Sequence, residues 1–345
     1  MAYTTIPKST AQFNTKLYTG TGSSNAITGV GFQPDFVWQK SRSATEYHGL
    51  FDVLRGVTKR LRSASNGAES TQAGSLTAFG SDGFTVGGSP NNDAANGNGQ
   101  TFVSWNWKAN GQGSSNTDGS INTIKTSANT TSGFSVGTWT GNGSASTIGH
   151  GLGVAPSVVI VKNTSGTYGW QVYHQALGAT KYIAFDADTE QTSSQSWNNT
   201  APTSTVFTVG ASNSNNGNGN VIVFYAFAEK QGYSKFGSYI GNGNNDGVFL
   251  YTGFKPAFFL YKVSSATGSW NILDTKRDID NPANLHLQPN SSNAEAVDFN
   301  IDLLSNGIKI RGSGGNINSS GVSYIYMAFA EEPLVSTNGV PATAR

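Results

Sequence analysis

The side chains able to do chemistry are few and scattered. Four histidines occur, His48, His150, His174 and His286, with no H-x-x-x-H pair, so a zinc site is not expected. Asp186-Ala187-Asp188-Thr189-Glu190 and Asp298-Phe299-Asn300-Ile301-Asp302 alternate oxygen ligands. Calcium favours such spacing, but the loop with its central Gly and closing Glu is missing. The second segment also fits the polar face of a strand. Two carboxylate pairs, Asp52 with Glu69 and Asp274 with Glu295, offer the acid and base of a glycoside hydrolase. The matching place in the middle of the chain holds His174, so the pair is not general. There is no G-x-S-x-G elbow, and no glycine run leads into Lys-Ser/Thr at phosphate-loop spacing. Cysteine is absent, which removes thiol catalysis, disulfides and Cys-ligated metals. The expectation is a chain with no catalytic residue, no metal and no cofactor.

What positions these groups is an internal repeat. Gly20-Thr21-Gly22 precedes Pro34 and Lys40; Gly141-Asn142-Gly143 precedes Pro156 and Lys162; Gly241-Asn242-Gly243 precedes Pro256 and Lys262. The lysine follows the proline by 6 residues each time. At 14 past the proline stand His48, Trp170 and Trp270, and at 18 stand Asp52, His174 and Asp274. Each copy closes on an apolar run: 102–107, 224–228 and 324–330. A period of about a hundred residues is a domain-sized unit rather than a solenoid rung. The divisions are an N-terminal arm 1–11, repeats 12–109, 132–231 and 232–334, a Gly/Ser/Asn/Thr linker 110–131, and a tail 335–345. The arm and tail are expected to be loose unless tied down, and are candidate anchors on a partner's sheet edge.

The constant residues read as structural. Pro34, Pro156 and Pro256 should open a strand or sit on an edge. Lys40, Lys162 and Lys262 are expected at strand ends, solvated or in a local ion pair. Trp170 and Trp270 should cap a core. Charged residues are 12% and the net charge is +1, so neither nucleic acid nor a membrane surface is indicated. Arg55, Lys59, Arg60 and Arg62 form the one basic concentration, expected on a solvated face. No apolar run reaches membrane-span length. Alternating apolar segments and Asn-Gly or Asp-Gly turns predict an all-β protein. The fold expected is three tandem β-sandwich domains, jelly-roll or lectin-like, related by internal repetition.

Phe13 to Gly20, the Gly31-Phe32-Gln33-Pro34-Asp35-Phe36-Val37-Trp38 block, Asp52-Val53-Leu54-Arg55-Gly56, Phe79 to Phe84 and Trp105-Asn106-Trp107 resemble a repeat domain. That domain belongs to structural proteins of marine tailed bacteriophages. Gly149-His150-Gly151-Leu152-Gly153 and the ending Val340 to Arg345 are similar as well. The resemblance implies a tail-fibre-like or virion protein without a catalytic motif, assembled in the host cytoplasm. Its expected partners are other virion proteins of capsid or tail, host surface glycan and further copies of itself. Adhesion is the first reading, capsid decoration or a tail structural part the second, and an envelope-polysaccharide depolymerase the third.

Overall fold

A computed structural model describes residues 3–88 and 93–341. With 43% strand and 3% helix, the chain is all-β. Repeat one carries β1 (Phe13–Thr19), β2 (Asn25–Thr28), β3 (Phe36–Ser41), β4 (Gly49–Asp52), β5 (Lys59–Arg60), β6 (Ser70–Thr71), β7 (Leu76–Gly80), β8 (Gly83–Val86) and β9 (Thr101–Trp107). After β10 (Lys125–Asn129), repeat two carries β11 (Phe134–Thr140), β12 (Ser146–Gly149), β13 (Val158–Asn163), β14 (Gln171–His174), β15 (Lys181–Ala184), β16 (Thr192–Ser193), β17 (Val206–Val209) and β18 (Val221–Phe227). Repeat three carries β19 (Ser234–Ile240), β20 (Phe249–Tyr251), β21 (Phe254–Val263), β22 (Trp270–Asp274), β23 (Ala283–His286), β24 (Ala296–Leu304), β25 (Gly307–Ile310) and β26 (Ser323–Pro333).

The same inner sheet recurs three times. Its order is β1-β9-β3-β4 in repeat one, β11-β18-β13-β14 in repeat two and β19-β26-β21-β22 in repeat three. Repeat two extends it with β10 on one side and β15-β16 on the other. An outer sheet lies behind each: β2-β8-β7, β12-β17 and β20-β25-β24-β23. The closing strands are largely apolar because both faces are buried, with Ser104 and Asn106 as buried polar exceptions on β9. On β18, Val223, Tyr225 and Phe227 face one cluster, while Ile222, Phe224 and Ala226 face another. On β26, Ile325, Met327 and Phe329 separate in the same way from Tyr324, Tyr326 and Ala328. This is the two-residue alternation of a strand.

The first set of residues from all three inner sheets forms one common core. Phe36 stacks on Tyr225 at 4.3 Å between ring centroids, Trp107 meets Phe258 at 5.8 Å, and Phe227 meets Phe329 at 5.8 Å. Repeats one and two, one and three, and two and three are therefore all in direct aromatic contact. Each repeat keeps a smaller cluster between its own two sheets. Only about 10 Å³ is left open among the aromatic rings of the common core. That is the size of a single water probe, in a wholly apolar setting.

The glycine turns are sterically required. A Cβ on Gly20, Gly141 or Gly241 would lie 2.1–2.3 Å from a backbone oxygen, of Gly97, Gly217 and Ser319 respectively. Gly22, Gly143 and Gly243 have φ of +67°, +72° and +66°, the left-handed region glycine favours. A buried asparagine closes each turn. Asn96 donates to Ser23 O, Asn216 to Ser144 O and Asn318 to Asn244 O.

The segment 110–131, expected as a linker, is folded against repeat two. β10 pairs with β11, and Ile121 bridges to Ile148 of the outer sheet. The N-terminal arm is also tied down. Ile6 is buried in the common core, Thr4 is buried, and the Tyr3 hydroxyl donates to Gly253 O at 2.7 Å. The C-terminal tail folds back through a Val335–Pro341 bridge, and Ala342–Arg345 lie outside the described residues.

Candidate functional site

Pro34 and Pro156 are buried just before β3 and β13. Pro256 lies at a register shift within β21, where a missing N–H costs no ladder bond. Lys40, Lys162 and Lys262 correct the expectation of solvation: all three are 0% exposed. Lys40 Nζ donates to Ser41 O and Ala44 O. Lys162 Nζ donates to Tyr168 O and, in repeat one, to Asn66 O. Lys262 Nζ donates to Val263 O and, in repeat two, to Asp188 O and Thr189 O. Burial pulls all three down to about 8. At neutral pH they remain ammonium groups whose donors are taken by carbonyls. A lysine was needed here for its reach: the stem crosses a core edge and the head ties down a loop.

The residues 14 past each proline reach back to the preceding repeat. Trp170 Nε1 donates to Arg62 O of repeat one, and Trp270 Nε1 to Ala184 O of repeat two. His48 closes the ring, its Nε2 bonded to Gln288 O of repeat three. Trp38 Nε1 donates to His48 Nδ1, so Nε2 carries the proton and the ring is neutral. Burial holds His48 well below its usual value.

The residues 18 past each proline reach forward. Asp52 accepts from the Tyr225 hydroxyl of repeat two at 2.8 Å. His174 Nε2 bonds Tyr326 O of repeat three, and Asp274 accepts from Trp105 Nε1 of repeat one at 3.0 Å. Burial lowers His174 to about 4. An arginine occupies each carboxylate pair. Arg55 binds Asp52 at 2.6 Å and Glu69 at 3.0 Å; Arg277 binds Asp274 at 2.5 Å and Glu295 at 3.0 Å. The proposed acid and base are thus held on a shared guanidinium, with Arg42 also on Glu295. The basic concentration is not a solvated face either. Arg55 and Arg60 are inside, with Arg60 bonded to Tyr47 O and Gln72, and Arg62 lies over the Tyr47 ring.

The other flagged groups are engaged locally. Asp186 accepts from the Trp170 N–H at 3.2 Å, and His150 bonds Thr203 O. No cluster of three potential metal ligands occurs among the described residues. Asp298 and Asn300 point outward while Phe299 and Ile301 are buried, the strand alternative for that segment.

The surface that stands apart is the outer sheet of repeat three. Phe249 and Tyr251 flank the buried Leu250 on β20 and are 43% and 55% exposed. Gly307 lies opposite Tyr251, and a Cβ there would meet the Phe249 ring at 2.8 Å. The missing side chain leaves room for the end of that ring over Gly307. Beside it, Lys309 bonds Asp246 at 2.7 Å and Arg311 bonds Asp302 at 2.6 Å. The Tyr3 phenol is pushed up to about 12, first by burial and then by the neighbouring Tyr251. The corresponding strand β2 of repeat one exposes only Ala26 and Thr28 beside Ile27. In repeat two Thr147 is bonded by Ser120 and Ile121. All seven tryptophans are buried. Sequence reasoning passed over Phe249-Leu250-Tyr251, although two aromatics alternating with a core leucine after Asn244-Asn245-Asp246-Gly247 were the signal.

Comparison with curated proteins and with solved structures finds no match to this chain. A family model described as a domain of unknown function (DUF7483) matches residues 8–333, all three repeats at once, and the chain belongs to that family.

Proposed function

We propose that this chain is a non-enzymatic surface protein of a phage virion, appendage-like, that contacts host surface glycans through the outer sheet of repeat three. Each repeat is then a β-sandwich unit of one closed body, and the outer face of the third is the working surface. The observation that carries the reading is the adjacent, exposed pair Phe249 and Tyr251, bordered by Asn300, Asp302, Lys309 and Arg311. Aromatic faces stack on sugar rings, and the polar border supplies hydroxyl partners. The depolymerase reading draws no support from Asp52, Glu69, Asp274 and Glu295, which are held on buried arginines.

The test is binding of purified host envelope polysaccharide to the full chain by calorimetry, with Phe249→Ala/Tyr251→Ala beside it. The double variant should lose at least about tenfold in affinity, roughly 1.4 kcal/mol. Unchanged affinity, or release of reducing ends by the wild-type chain, would refute the proposal. A structural role in capsid or tail is the second reading. It is favoured by the sheet edge described next.

A further inference from the structure

The first strand of each inner sheet occupies an equivalent edge, and the three edges are treated differently. In repeat two, β10 covers β11, with the Ile124 N–H donating to Thr138 O. In repeat three, side chains take the edge groups of Phe236. Its carbonyl accepts from Gln175 Nε2 at 2.8 Å and its N–H points to Glu229. In repeat one, β9 is the only strand paired with β1 among the described residues.

The direction of the free groups follows from the ladder. Lys108 N donates to Gln12 O, and Gly20 N to Gln100 O. Even-numbered residues of β1 therefore face β9, and the N–H and C=O of Phe13, Thr15 and Leu17 face outward. Leu17 stands where Thr138 stands in repeat two, counting back from Gly20 and Gly141. An open cleft of about 440 Å³ runs along this edge, lined by Thr10, Asn14, Thr15, Lys16, Leu17, Gly29 and Lys276. Its lining holds two cations and no carboxylate. Neither Lys16 nor Lys276 forms an ion pair with a described residue. Asp82, the acid facing Lys16, is engaged by the Gly29 and Gly31 N–H groups. Thr15 Oγ1 is buried beside the edge with no hydrogen-bond partner among the described residues.

We propose that the β1 edge at Thr15 to Leu17, beyond the buried Phe13, receives an extended acidic segment of another protein as an added strand. The chain itself supplies the precedent, since β10 fills the same position on β11. The two lysines select the charge. A second copy fits worse, because antiparallel β1–β1 pairing would bring two copies of Lys16 together, and lysines on an open edge disfavour such pairing. Backbone bonds provide affinity and the lysines provide specificity, as in strand addition generally.

The experiment is fluorescence anisotropy on the full chain with two labelled heptapeptides, one alternating glutamate with valine and one alternating lysine with valine. The glutamate peptide should bind at least about tenfold tighter, with the difference shrinking in salt. Lys16→Glu/Lys276→Glu should reverse the preference. Thr15→Pro removes an outward N–H while sparing the β9 ladder, and should weaken binding with polysaccharide affinity unchanged. Equal binding of both peptides, or binding unaffected by all variants, overturns the proposal. So does a dimer in sedimentation that Thr15→Pro dissolves without any peptide binding, which would give the edge to a second copy. Loss of polysaccharide binding by Phe249→Ala/Tyr251→Ala reports on the glycan reading and leaves this one standing.

Discussion

The boundaries between repeats and the outer faces of repeats have diverged to opposite degrees. At each boundary a ring nitrogen and a second polar group reach into a neighbour, in the same directions round the ring, and at two of the three a buried lysine, Lys162 or Lys262, crosses as well. On the outside, repeat one presents Ala26 and Thr28, repeat two is covered by its own preceding segment, and repeat three presents Phe249 and Tyr251. Positions that close the body are held by geometry, since a changed length or donor there leaves a buried carbonyl unpaired. Positions on the outer sheets meet water and are free to change. The difference assigns the common residues to folding and leaves the repeat-specific ones on the outer faces.

The largest effect expected is at the boundary rings. Trp170→Ala or Trp270→Ala should each cost about 3–5 kcal/mol in chemical denaturation. A loss no greater than that of an ordinary surface change, about 0.5 kcal/mol, would break the contrast between boundary and face.

The boundaries also differ among themselves. Asp274→Ala removes the closer of the two carboxylates on the wholly buried Arg277, leaving Glu295 alone, and should cost about 3 kcal/mol. His174→Ala at the equivalent place removes a neutral hydrogen bond, and should cost about 1–3 kcal/mol. Equal losses would mean that packing, and not charge pairing, sets the strength of these boundaries.

A smaller effect concerns acid. His48 and His174 are held below the unfolded value of about 6.5, His174 at about 4. Below pH 6.5 the unfolded chain takes up protons that the folded chain refuses. Stability should therefore fall as pH drops from 6.5 towards 4, by up to about 1.4 kcal/mol per pH unit for each histidine. His174→Gln should flatten the fall in urea midpoints across that range. An unchanged slope would show that His174 takes up its proton in the folded state.

Much of this was legible in sequence. The repeat, the strands and the glycine turns follow from spacing, because turn sterics and two-residue alternation are local properties. The burial of Lys40, Lys162 and Lys262 was not legible. Each sits at the end of an apolar strand, and only the loop of a neighbouring part of the chain decides whether its head meets water or carbonyls. Arg55 and Arg277 were hidden for the same reason. Their partners Glu69 and Glu295 are 14 and 18 residues away, across a turn that sequence does not draw. The segment 110–131 read as a spacer because Ser, Thr and Asn favour turns, yet pairing with β11 supplied its backbone with partners that composition cannot anticipate. Phe249 and Tyr251 were visible as an alternation, but only the pairing of β20 with β25 shows that Gly307 makes room for the Phe249 ring.

Contact between the third repeat and the first has a consequence for how such a chain can evolve. An open array can gain or lose a unit and needs special terminal copies to shield its ends. A circular arrangement has no ends to shield, and its copy number is fixed by closure. Adding a fourth unit or dropping one would leave the aromatic interior gaping, so new capability in this protein has to come from altering existing units one at a time.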